Sequence, residues 1–154
     1  MAAKLVIGRA VWNTLIGQLR SRGAGVRESG AFLLSHCGGS RVSRFVCYDE
    51  LCPDCLDSGY IRFAGAGYVK LARICQNGGF RVTADVHTHP GGWTKQSESD
   101  KAHPMMERAG QISLIVPNYA RGNSWNLAGV GAYEYLGNGN WRDCSSTIKV
   151  TWLW

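Results

Sequence analysis

The chain has 154 residues, 45% hydrophobic and 18% charged, with a formal net charge of +6. That suits one domain spanning residues 1–154 with an ordinary core. It excludes a disordered chain, and the twenty glycines, scattered without a collagen period, read as turns.

No apolar run is long enough to cross a membrane or act as a secretory leader, so a cytoplasmic protein without a membrane partner is expected. In that reducing setting the six cysteines read as free thiols or metal ligands rather than a disulfide framework. The charge is uneven. Residues 1–27 hold Lys4, Arg9, Arg20, Arg22 and Arg27 with no acid, and residues 49–57 hold Asp49, Glu50, Asp54 and Asp57 with no base. A basic face could meet nucleic acid or an acidic protein, or simply be solvated.

Trp12, Leu15, Ile16 and Leu19 repeat at helical spacing, which predicts an amphipathic helix near residues 10–21, stopped by Gly23 and Gly25. Ala31–Leu34 and Phe45–Tyr48 read as strands joined by the Gly38-Gly39-Ser40 turn, followed by an irregular, partly acidic connection over 50–64. Tyr68, Leu71, Ala72 and Cys75 predict a second helix, closed by Gly78-Gly79.

Phe80, Val82, Ala84 and Val86 then alternate with polar residues, the period of a half-buried strand. His87 and His89 would project from its polar face. Ile112–Val116 is a short buried strand ended by Pro117, Pro104 opens a helix through Arg108, and Trp125–Tyr135 and Ile148–Leu153 supply further strand material. The order predicts an α/β domain with a mixed β-sheet flanked by helices.

Two histidines at i and i+2 on a strand can share one cation, and neutral imidazole is a common zinc ligand. Asp100 is the third candidate, returned toward the histidines by a turn at Pro90, Gly91 and Gly92. Each piece also has a plain explanation. An H-x-H pair on a polar strand face is often incidental, and Ser97-x-x-Asp100 is a helix capping box.

Taken whole, His87-Thr88-His89-Pro90, six residues, then Ser97-Glu98-Ser99-Asp100 resembles the signature of the JAB/JAMM (MPN+) metalloproteases. Glu28, ahead of the apolar run Gly30–Leu34, falls where that family places an upstream glutamate. The resemblance implies a single JAB/MPN-like domain with one catalytic zinc held by His87, His89 and Asp100. It implies that Glu28 is the general base for the attacking water, and that Ser97 donates to the oxyanion.

Family members cleave isopeptide or peptide bonds at the C-terminus of ubiquitin or ubiquitin-like proteins. The short stretches at 48–64 and 118–126 make this chain resemble compact prokaryotic members, and its Asp85–Gly91 run and Met105–Ala120 region resemble JAB proteins found beside conjugation systems of the CBASS and Bil antiphage types. The partners implied are a ubiquitin-like protein with its conjugates, and the associated activating and conjugating enzymes; nucleic acid is not expected. Two other readings stand beside this one: a JAMM hydrolase that releases small adducts such as cysteine from a sulfur-carrier protein, and a non-enzymatic basic binding module.

Trp93, between the ligands, could cover a substrate tail or simply pack. Cys52-Pro53-Asp54-Cys55 has the spacing of a second, structural zinc site that Cys37 and Cys47 could complete; ordinary loop cysteines are the other reading. His103 is a cap-region residue rather than a ligand, and Met105 and Met106 are packing residues.

Overall fold

The structure, a computed structural model, describes residues 2–122 and 125–152. Six strands form a mixed sheet in the order β3-β2-β4-β5-β6-β7, where β2 is Gly30–His36, β3 Arg44–Cys47, β4 Phe80–Thr88, β5 Ile112–Val116, β6 Gly131–Gly137 and β7 Asn140–Asp143. Only β4 and β5 pair in parallel within it. A separate parallel pair joins β1 (Leu5–Gly8) to β8 (Ile148–Thr151).

Helix α1 (Arg9–Gly23) buries Trp12, Leu15, Ile16 and Leu19 against one face of the sheet, as its period requires. Helix α3 (Gly65–Gly78) and the short α2 (Tyr48–Leu51) cover the other face, with a second core built on Phe32, Leu34, Tyr48, Leu56 and Leu71. The cysteines Cys52 and Cys55 lie within that second core.

Several boundaries differ from those the pattern predicts. Helix α1 runs through Gly23, and Ala24 takes the left-handed cap conformation at φ 51°, donating its N–H to the Arg20 carbonyl. Strand β3 stops at Cys47 because Glu50 accepts from the Cys47 N–H and starts a helical turn at Tyr48. Residues 125–130 are turn and loop, and strand structure resumes only at Gly131. Pro104 opens no helix; the helix in that region is α4 (Glu98–Ala102), upstream of it. Strand β8 ends at Thr151, and Leu153, the end of the predicted last strand, lies outside the described residues.

Strand β4 is the largest departure. It is buried on both sides from Val82 onward, as a strand with neighbours on both edges and helices on both faces must be. Its register against β2 shifts: Leu33 faces Ala84, Leu34 faces Val82, and Thr83 is the extra residue of a bulge. Val82 therefore joins the core under α3, while Ala84 and Val86 join the core under α1. A single apolar face in the sequence is split between two faces in the fold.

The opposite charge runs meet each other. Arg22 pairs with Asp49 and lies 3.9 Å from Glu50, and Arg27 lies 3.6 Å from Asp57. Part of the basic stretch over residues 1–27 is thus neutralised internally by the acidic connection.

Candidate metal centre

The C-terminal end of β4 is pinned from several directions. Gly30 pairs with His87 across β2, and a Cβ at position 30 would overlap the Tyr48 ring and the Val86 carbonyl, so only glycine fits. Thr88 donates its N–H to the Ser29 carbonyl at 2.9 Å, and His89 donates to the Val116 carbonyl at 2.9 Å. The His89 carbonyl in turn accepts from the N–H of Tyr119, and the Gly91 carbonyl from that of Asn118. Asn118, Tyr119 and Ala120 all lie at positive φ, between 53° and 61°. This left-handed turn costs roughly 1–2 kcal/mol per residue and persists because its N–H groups hold the chain beyond β4.

Asp100 reaches the same place through a helix start. Ser97 is the N-cap of α4: its Oγ accepts from the Asp100 N–H at 3.0 Å, and the Ser97 N–H donates to Asp100 Oδ2 at 2.8 Å. The capping box forms, and it aims the Asp100 carboxylate at the two histidines, so the two readings of this segment are compatible. His87 Nε2 and His89 Nε2 lie 3.2 Å apart, His87 Nε2 lies 3.3 Å from Asp100 Oδ1, and His89 Nε2 lies 3.2 Å from Asp100 Oδ2.

Those separations can be tested against zinc. A tetrahedral ion with bonds of roughly 2.0–2.1 Å places its ligand atoms about 3.3–3.4 Å apart, and all three pairs come close to that edge length. The chemistry of the donors agrees. His89 Nδ1 lies 3.0 Å from the Trp93 carbonyl, which can only accept, so the proton sits on Nδ1 and Nε2 presents its lone pair. Two imidazole nitrogens facing each other across 3.2 Å, beside a carboxylate, make a position for a cation. Among the described residues these three form the one group of its kind. The donors thus fit one zinc ion with a fourth position left open.

The surrounding electrostatics follow the same centre. Burial works to raise the Asp100 carboxyl, but the two histidines beside it hold it far below the usual carboxylate range. Burial works to lower His89, and its bonds to Asp100 and the Trp93 carbonyl outweigh that and raise it. Glu28 is raised by burial, against the pull of His87 and His89.

Glu28, Ser97, His87 and Asp100 line one cleft of roughly 360 Å³. Trp93 stands outside it: its ring stacks on His89 with centroids 5.1 Å apart and an interplanar angle of 18°, and it is 52% exposed. His103 lines the cleft as the C-cap residue of α4, with Nδ1 3.2 Å from the Ser99 carbonyl.

The second zinc site finds no support. Cys52 and Cys55 are buried core residues, and no cysteine belongs to a group of three or more metal-binding side chains among the described residues. Burial also pushes the Cys47 and Cys55 thiols up to about 12.

Sequence reasoning missed the left-handed turn at 118–120, which no glycine announces. It also missed Asp85, a fully enclosed acid on β4 that accepts a 2.8 Å hydrogen bond from Ser113 and is raised to about 6 by burial. Its place two residues before His87 was the available signal.

Comparison with known proteins decides the fold. Over 95% of its length the chain is similar to a JAB1/MPN domain protein of Archaeoglobus fulgidus, with a TM-score of 0.55, 18% identity and 98% of that protein covered. This is the JAB1/MPN fold. A Desulfitobacterium hafniense protein solved in solution is also similar, with a TM-score of 0.64 and 15% identity over 96% of this JAB-fold chain and 92% of its own. In sequence, 70 residues are 34% identical to a probable metalloprotease of Sinorhizobium fredii, 46% of this chain and 42% of that protein. The JAB-fold chain thus matches less than half the length of that curated relative. No family model matches it.

Proposed function

We propose that this JAB-fold protein is a zinc-dependent metalloprotease that cleaves after the C-terminal tail of a ubiquitin-like protein, releasing it from a conjugate or maturing its precursor. The observation that carries the reading is the three-donor centre at tetrahedral spacing, with a carboxylate and a free hydroxyl on the same cleft. With zinc in that centre, the site would polarise a substrate carbonyl and acidify water, moving its pKa from 15.7 toward roughly 7.

The chain's own groups supply the rest. Glu28, whose carboxyl burial raises toward the pH at which a base works best, receives the proton of the attacking water and hands it to the departing amine, a contribution of about 10²–10⁴-fold. Ser97 Oγ accepts from the Asp100 N–H, and its own O–H donor serves the developing oxyanion.

The substrate rests on the sequence resemblance to compact prokaryotic JAB proteins. It extends to a bacterial antiphage conjugation system as the source of the modifier, with that system's activating and conjugating enzymes as partners and the cytoplasm as the setting. The test is a panel of ubiquitin-like domains, with and without a terminal Gly-Gly, fused to a reporter and incubated with zinc-loaded protein. The expected result is cleavage after the final glycine, abolished by chelator and restored by zinc. Glu28→Ala should retain one zinc and lose activity. A zinc-replete wild-type protein that cleaves no fusion overturns the substrate; full zinc content in a His87→Ala, His89→Ala double variant overturns the centre.

A further inference from the structure

The cleft that holds the metal donors has a further part, lined by residues the proposed chemistry does not use. Its floor is Asp85, 2% exposed, with Ser113 donating to Oδ1 at 2.8 Å. Its walls include Tyr48, Phe63 and Tyr68: Tyr48 and Phe63 are tilted with centroids 5.6 Å apart, and Phe63 and Tyr68 meet edge to face at 4.8 Å. Tyr48 lines this space, and its hydroxyl is buried with no hydrogen-bond partner among the described residues. Tyr68 spends its hydroxyl on the Met105 carbonyl at 2.6 Å.

Charge is the decisive feature. The lining residues include three carboxylates, Glu28, Asp85 and Asp100, and no lysine or arginine. A divalent ion among the three donors balances Asp100 and Glu28. That leaves Asp85 enclosed with one hydroxyl donor, the nearby His87, and no lysine or arginine in the lining among the described residues. A buried carboxylate without a counter-charge is costly, and aromatic faces beside it are favourable neighbours for a positive group.

We propose that this part of the cleft is a subsite for a basic side chain, the ammonium or guanidinium of a lysine or arginine flanking the scissile bond of the substrate, held by Asp85 and the rings of Tyr48, Phe63 and Tyr68. The charged head pairs with the Asp85 carboxylate, the Tyr48 hydroxyl gains a partner, and the aliphatic stem lies along the rings. That the bound group belongs to a peptide substrate rests on the metalloprotease reading; the recognition of a cation by Asp85 does not.

The experiment titrates zinc-loaded protein with Nα-acetyl-lysine methylamide and with its norleucine counterpart, followed by ligand-observed NMR. The lysine amide should bind on the order of tenfold more tightly. Asp85→Asn, which keeps the shape and the Ser113 contact, should lose that preference while retaining one zinc and its melting transition. Phe63→Leu should weaken the lysine amide several-fold, and it keeps the test alive if Asp85→Asn fails to fold. Equal affinity for the two amides, no binding of the lysine amide at millimolar concentration, or a preference that survives Asp85→Asn overturns the subsite. A clear lysine preference in a protein that cleaves no fusion leaves the subsite standing and removes the metalloprotease substrate.

Discussion

Residues 87–100 and residues 47–55 both place side chains that zinc accepts at spacings that zinc sites use, yet the chain folds around them in opposite ways. The first stretch leaves a buried strand end, turns at Pro90, and returns through a capped helix start, so its three donors converge within 4.8 Å of one another. In the second, Cys47 closes β3, Cys52 ends α2, and Cys55 packs with Leu51 and Leu56 in the core under α3. Spacing alone therefore does not make a site. Convergence needs backbone groups that aim the ligands, and the second stretch spends its backbone on helix and turn.

Removing a donor from the convergent stretch should have the largest effect. His89→Ala or Asp100→Ala should reduce bound zinc well below one per chain and bring fusion cleavage to background. Elemental analysis after gel filtration measures the first and the reporter assay the second. Asp100→Ala has a further consequence, because it also removes the acceptor for the Ser97 N–H at the start of α4. Full zinc in both variants would dissolve the distinction between the two stretches.

Ser97 sharpens the comparison by separating the aiming device from the chemistry. Ser97→Ala loses the cap and the free hydroxyl together, and should cost about 10²–10³ in kcat and about 1 kcal/mol in stability. Ser97→Gly loses the hydroxyl but, as a tolerated N-cap, only a few tenths of a kcal/mol or so in stability. Equal kcat losses in the two, with unequal denaturation midpoints, assign the rate effect to the hydroxyl. A Gly variant with near wild-type kcat would reduce Ser97 to a cap.

The cysteines of the second stretch should respond in the opposite sense. A Cys52→Ala, Cys55→Ala double variant should bind the same single zinc as the wild type. It should lose roughly 1–2 kcal/mol in denaturant unfolding, the effect of two shortened core side chains. A drop in zinc stoichiometry would restore these cysteines as ligands.

The contrast also separates what the sequence could show from what it could not. Helix α1, strand β5 and the ligand motif were legible because each rests on local spacing: Trp12 to Leu19 on one helical stripe, Ile112 to Val116 as an unbroken apolar run, His87 to Asp100 as a fixed pattern. The bulge at Thr83 was not, because it is set by pairing with Leu33 and Leu34, fifty residues away in the chain. Asp85 reads as one more polar residue on an alternating strand until α3 and the 60–63 segment close over it. The left-handed conformations at Ala24, Tyr119 and Ala120 are imposed by the contacts around them on residues with no preference for that conformation; only Asn118 favours it by itself.

Glu134 provides the smallest expected effect and a control far from either stretch. Lys4 and Arg142 both donate to its Oε2, tying β6 to the start of the chain and to β7. Those two bonds hold the Glu134 carboxyl below its ordinary value near 4.5, against a smaller upward push from burial. A carboxyl lowered on folding stabilises the native state above its unfolded value, and that stabilisation is lost as pH falls through the lower folded value. Glu134→Gln should therefore melt below the wild type at pH 7, with the two curves converging as the pH drops below the carboxylate range. Zinc content and fusion cleavage at pH 7 should not change. Melting curves that stay parallel at every pH would mean that the Glu134 carboxylate contributes through packing alone, and that its two cations are no more than surface neighbours.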